Sequence, residues 1–89
     1  MKPHISNPTE DQKQLAQSWP TWEKEASAFP WEYDEQETCL ILEGEVTVTD
    51  CPAGQDSVTF GPGDHVVFPV GLACIWEIKQ DVKKHYNFE

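Results

Sequence analysis

From Glu37 onward the chain is cut into short apolar runs by turn-forming residues, and no other feature restricts its fold as strongly. The runs 37–42, 45–49, 57–60, 65–68, 73–79 and 82–88 are rich in β-branched and aromatic residues. Between them lie Glu43-Gly44, the segment 50–54, Gly61-Pro62-Gly63-Asp64, the segment 69–71 and Gln80-Asp81. Glycine takes up backbone angles that other residues avoid, and proline cannot continue a ladder, so each break has a physical reason to turn. Strands this short at this spacing build a sandwich or a barrel. In the first run, alternation puts Glu37, Cys39 and Ile41 on one face and Thr38, Leu40 and Leu42 on the other. Both faces are largely apolar, which predicts a strand covered on both sides. A carboxylate there must be paired, hydrogen-bonded or used.

Ahead of Glu37 the signals are mixed. Residues 1–7 hold Pro3 and few apolar groups and read as an extended arm. Asn7 as cap, Pro8 at the first helical position and Glu10 three residues after the cap predict a short helix over 8–17, ended by Pro20. Only Leu15 and Ala16 are there to be buried. Trp19, Trp22, Phe29 and Trp31 then crowd around Pro20 and Pro30, which suits an edge strand and the turn leading to it. Trp19 and Trp22 read as rings filling one end of a small core. The chain is thus one domain over 1–89, an arm and short helix over 1–18 and a β-barrel over 19–89.

Size and charge limit what such a domain can do. A chain of 89 residues buries only about 60 to 65% of its surface, so pairing into a homodimer is the expected state. Sixteen acids face six lysines and no arginine, a net charge of -10. That balance repels a phosphate backbone and argues against nucleic acid as a partner. Without arginine there is no planar fork for gripping phosphates, which weighs against sugar phosphates as substrates. The longest uncharged run, 66–76, is broken by Pro69 and Gly71 and is about half the roughly 20 residues of a membrane span, so no membrane association is expected. The start, MKPHISNPTE, has no apolar signal core, and the expected location is the cytoplasm. Cys39, Cys51 and Cys74 lack metal or redox spacing and read as reduced thiols.

Trp31, Tyr33, Glu37 and Gly44, and further on Gly63, Pro69, Gly71, Cys74 and Ile78, stand at spacings that resemble the two motifs of the cupin superfamily, small double-stranded β-helix (jelly-roll) barrels. In the first cupin motif two histidines and a glutamate bind a metal; here Trp31 and Tyr33 stand at the histidine positions, with Glu37 and Gly44 at the glutamate and glycine positions. In the second motif Gly63, Pro69 and Gly71 match, whereas Cys74 replaces the histidine and Ile78 the asparagine. The segments ETCLILEGEV, GPGDHVVFPVGLACIWEI and KKHYNF look like those of small cupins grouped with the cupin domain of (S)-ureidoglycine aminohydrolase. The resemblance implies an all-β barrel. It also raises the prospect of a metal-dependent enzyme of the ureidoglycine type, against which the missing histidines count.

Inside such a barrel one surface is expected to carry Trp31, Tyr33, Glu37, Cys39, Cys74 and Trp76. Glu37 among rings and thiols is poorly solvated in its charged form, which suits a general acid or base; its alternative is a structural carboxylate tied to Tyr33 or to backbone amides. Parity on the last run puts Val82, Lys84, Tyr86 and Phe88 inward and His85 outward, while His4 and His65 read as loop or surface residues. Lys84 could then assist as a base, or lay its stem along the wall with its ammonium against Glu37. A metal on Glu37 with Cys74 and Cys39 would mix hard and soft ligands without imidazole, so no metal cofactor is expected. Cys74 reads as filler rather than nucleophile. Trp31, Tyr33, Trp76 and Tyr86 offer flat faces with a few hydrogen-bonding tips, suited to a small ligand. The expected function is binding of a compact polar metabolite, with acid-base chemistry through Glu37 and assistance from Tyr33 or Lys84. The alternative is a binding or accessory module without turnover.

Overall fold

The structure is a computed structural model describing residues 2–50 and 57–88. Seven strands and one helix follow in the order β1 (His4–Ser6), α1 (Glu10–Ala16), β2 (Thr21–Lys24), β3 (Ser27–Glu32), β4 (Glu37–Asp50), β5 (Ser57–Phe60), β6 (His65–Phe68) and β7 (Ala73–Phe88). All pairings are antiparallel, and the fold is the expected all-β jelly-roll barrel with one small helix. Two long strands form its spine. The first half of β4 pairs with the second half of β7, and its second half with the first half of β7. Around them, β6 flanks β4 with β1 on its outer edge, β5 pairs with the far half of β4, and β2 and β3 line the outer side of β7.

Four expectations need correction. Glu43-Gly44 and Gln80-Asp81 are not hairpin turns; they are facing irregularities in β4 and β7, where the register shifts and both strands bend without ending. Gly44 has φ +99°, and a Cβ there would lie 2.5 Å from the Asp81 carbonyl oxygen. Close backbone approach, not chain reversal, is what that glycine provides. The helix is capped by Thr9 rather than Asn7: the Thr9 side chain accepts from the Gln12 amide at 3.1 Å, and Gln12 accepts from the Thr9 amide at 2.9 Å. The arm contributes a strand, since His4–Ser6 pairs with β6. Finally, His65 is a buried residue of β6 rather than a loop or surface residue. The sequence turn over 50–54 and Cys51 fall almost wholly outside the described residues.

Other expectations hold. Residues 37–41 are all buried: the inner face meets the core, and α1 packs on β4 and β7 with Ala16 fully buried. The loop at Gly61-Pro62-Gly63-Asp64 is a real turn, in which the Asp64 carboxylate accepts from the Gly61 amide at 2.8 Å. A second turn clamps Tyr33, whose carbonyl accepts from the Gly71 amide at 2.7 Å and whose own amide donates to Leu72 at 2.9 Å. Among the described residues no helix is long and apolar enough to cross a membrane.

Candidate functional site

One end of the barrel opens into a pocket of about 250 Å³ lined by Trp22, Phe29, Trp31, Glu37, Trp76, Lys84, Tyr86 and Phe88. Each strand supplies its part by alternation. Phe29 and Trp31 lie two apart on β3, opposite Trp76 and Cys74 of β7. Tyr86 and Phe88 continue the inward face of β7 beyond Lys84, and β2 contributes Trp22, which is opposite Lys84 in register. Trp31 and Phe88 are 49% and 42% exposed, so they form the rim.

The two charged groups meet within it. Lys84 is opposite Ile41 in the ladder, while Glu37 is four residues further along β4. The lysine stem therefore runs along the wall past Cys39, and its Nζ donates to Glu37 Oε2 at 2.9 Å. Both side chains are almost fully enclosed, 6% exposed for Lys84 and 5% for Glu37. Three rings surround the ammonium: their centroids lie 4.7 Å (Trp76), 4.9 Å (Trp22) and 5.9 Å (Phe68) from Nζ. Ring faces and a carboxylate thus surround the amine, a cation–π and charge-assisted hydrogen-bond setting. Cys39 lies between the two, its thiol in hydrogen-bond contact with both, and burial pushes that thiol well above its ordinary range. It is a protonated, enclosed group.

Trp76 ties the pocket to the core. Phe29 stacks on it at 6.0 Å, Trp22 meets it edge-on at 6.1 Å, and Phe60 and Phe68 pack at 5.8 and 5.5 Å. Its indole nitrogen donates to the Tyr33 hydroxyl at 3.1 Å. Tyr33 is itself buried and stacks on Phe68 at 4.8 Å. Burial first, and the Glu37 charge second, raise the phenol far above its usual value, so it stays neutral.

Of the residues singled out from the sequence, Glu37, Lys84, Trp31, Trp76 and Tyr86 come together at the pocket. Tyr33, Cys39 and Cys74 do not line it; they belong to the core behind its wall. Tyr33 is thereby a support for Trp76 rather than a group within reach of the pocket. His85 lies on the other face of β7, with Nδ1 3.1 Å from the Trp19 carbonyl oxygen. Trp22, Phe29 and Phe88 also line the pocket, and Trp22, expected as core, packs against the core as well as facing the pocket. Which rings β7 brings together depends on its pairing with β2 and β3, and only the inward parity of Phe88 was visible beforehand.

A metal at the cupin position does not fit these side chains. Indole and phenol replace two ligands, an ammonium already stands against the carboxylate, and a second cation there would meet a like charge. Among the described residues no three His, Cys, Asp or Glu gather into a ligand group.

Comparison with known proteins agrees with this architecture. A DUF861 family protein from Thermotoga maritima is 46% identical, with a TM-score of 0.92 over 99% of this chain and 100% of that one. A putative ethanolamine utilization protein Q from Salmonella typhimurium shares 20% identity (TM-score 0.68), over 97% of this chain and 68% of the other. The EutQ protein of Clostridium difficile shares 15% (TM-score 0.67), and 76% of this chain covers 52% of it. At such identities the last two show the fold alone. No curated protein matches the chain. Residues 12–86 match the family described as the EutQ-like cupin domain, and the chain belongs to that family of cupins.

Proposed function

We propose that this protein binds a compact, flat metabolite in the ring-lined pocket and that Glu37 and Lys84 orient it and move a proton on it without a metal. The observation that carries this reading is the enclosed ion pair facing an otherwise aromatic pocket. Taking two charges out of water costs several kcal/mol per ion, and an apolar pair of similar volume often serves stability as well or better. A pair kept at the wall of a pocket, with hydrogen-bonding capacity beyond its mutual contact, has a use in recognition.

The rings supply area for stacking, while the ion pair supplies one donor and one acceptor side by side. A cyclic amide or ureide edge, with N–H next to C=O, matches that arrangement, and so does a small hydroxycarbonyl compound. The narrower likeness to the ureidoglycine aminohydrolase group keeps a ureide among the candidates; its metal chemistry draws no support from the donor set. A module that binds without turnover would use the same pocket and would differ only in lacking a reaction.

Thermal-shift measurements with small ureides, cyclic amides and hydroxycarbonyl compounds test the binding step. A ligand at a hundredfold excess over Kd adds about 2.7 kcal/mol, and each kcal/mol moves Tm by about 4–8 °C in a domain this size. At least one class is expected to stabilise the wild type and not the Glu37→Gln/Lys84→Met double variant. Equal stabilisation of both proteins would remove the ion pair from recognition.

A further inference from the structure

The charges and shape of the pocket narrow its chemistry further. We infer that the ligand is a small, uncharged carbonyl compound with a hydrogen on the carbon next to C=O, and that the protein catalyses enolisation, with Glu37 as base and Lys84 as holder of the oxyanion. This rests on the reading of the pocket as a ligand site.

The Lys84 amine is already engaged on several sides. Its Nζ donates to the Glu37 carboxylate at 2.9 Å and lies 4.7 and 4.9 Å from the Trp76 and Trp22 ring centroids. That arrangement opposes a nucleophilic role and fits a hydrogen-bond donor to a carbonyl oxygen. An ammonium has three donors and a carboxylate about four acceptor sites, so their mutual contact and the contact of each with the Cys39 thiol leave capacity on both. A carbonyl oxygen and the neighbouring C–H sit close together in one ligand, and the two groups that would meet them are 2.9 Å apart in the pocket.

In the step itself, the C–H bond breaks and its proton goes to Glu37. The electron pair forms the C=C bond, and the carbonyl π pair moves onto oxygen. The carboxylate becomes a carboxylic acid as the ligand becomes an enolate, so negative charge passes from one oxygen beside Lys84 to another. At no stage does the enclosed pocket hold an unpaired charge, which is the state that would be costly there. Return of the proton to the same carbon regenerates the carboxylate and completes exchange; in a hydroxycarbonyl, passage of the neighbouring hydroxyl proton to the first oxygen, followed by return of the carbon-bound proton to the other carbon, completes isomerisation, with no co-reactant. An enolate is planar, and the indole faces of Trp22 and Trp76 suit it. The absence of arginine and the net charge of -10 disfavour phosphorylated or anionic substrates and leave neutral hydroxycarbonyls.

Proton NMR in D2O tests this with hydroxyacetone, dihydroxyacetone and glyceraldehyde as probes. Wild-type protein is compared with Glu37→Gln, Lys84→Met and the double variant, each checked for folding by circular dichroism. The double variant removes both charges together and keeps the comparison available if either single variant fails to fold; the other five lysines are common to all. Loss of the signal from hydrogens next to C=O is expected to run about 10²-fold or more faster with wild type than with the double variant, the usual worth of a positioned base. If all three probes exchange no faster with wild type than with the double variant, enolisation is overturned. Binding of hydroxyacetone, an uncharged probe, is followed in the same samples through the indole N–H signals. Binding without exchange removes the reaction and leaves the pocket as a binding site. Neither binding nor exchange removes both.

Discussion

The two halves of the β4/β7 ladder are built from the same pair of strands and do different things. Beyond the bend at Gly44, Val46 and Val48 face Ile78 and Trp76, and these inward pairs are apolar. Before it, 37–41 lie against 84–88, and the inward positions carry a carboxylate, a thiol and an ammonium beneath the pocket. Adjacent segments of one ladder can thus divide the work, one holding the barrel shut and the other holding charge where water is scarce. The register shift separates them, and it depends on a glycine whose missing Cβ leaves room for the Asp81 carbonyl.

Paired substitutions sharpen that contrast most. Glu37→Gln or Lys84→Met alone leaves its partner charged and enclosed, with an expected loss of about 3–5 kcal/mol in urea denaturation; the double variant recovers most of it. In the apolar half a second change adds to the first. Ile78→Ala costs about 2–5 kcal/mol, and adding Val48→Ala deepens the loss. Rescue by the second change in the apolar half, or its absence in the charged half, would break the distinction.

The bend comes next. Gly44→Ala places a Cβ against backbone and forces φ +99° on alanine, for about 1–3 kcal/mol of strain plus the clash. Gly63 also has positive φ but open space around it, so Gly63→Ala carries the strain alone. Equal losses in thermal melts would mean that the approach of the two strands at Gly44 is unimportant.

Much of the architecture was written in local residues. Gly63, Pro69 and Gly71 mark real turns, and the period of two on the last run put Lys84 inward, where it meets Glu37. Turn-forming residues at 43–44 and 80–81 misled, because two strands paired on both sides of a bend continue through residues that would otherwise reverse them. The helix start misled for another reason. Asn7 with Glu10 and Thr9 with Gln12 are both capping pairs, and β1 occupies the chain up to Ser6, which leaves Asn7 and Pro8 as connection. Trp22 and Phe29 could not be assigned to the pocket because β2 and β3 pair with a strand 41 to 64 residues away in sequence.

Smaller effects lie outside the ladder. Burial, with the nearby His4 charge as a lesser cause, lowers the His65 pKa from 6.5. The folded protein therefore binds that proton less readily than the unfolded chain. The associated stability is full above pH 6.5 and is lost as the pH falls below it through the lower folded value. Melts between pH 7.5 and 5 should show the decline, and His65→Gln should flatten it. Thr9→Ala, which removes a cap on a short surface helix, is expected to cost about 1 kcal/mol or less.

Indole N–H resonances in a two-dimensional NMR titration test the central claim most directly, because Trp22, Trp31 and Trp76 line the pocket and Trp19 does not. With a hit from the thermal-shift panel, saturable shifts are predicted for those three, with Trp19 unmoved and the response lost in the Glu37→Gln/Lys84→Met protein. Shifts spread equally over all four indoles, or unchanged in the double variant, would contradict the assignment of the ion pair and its rings as the binding site.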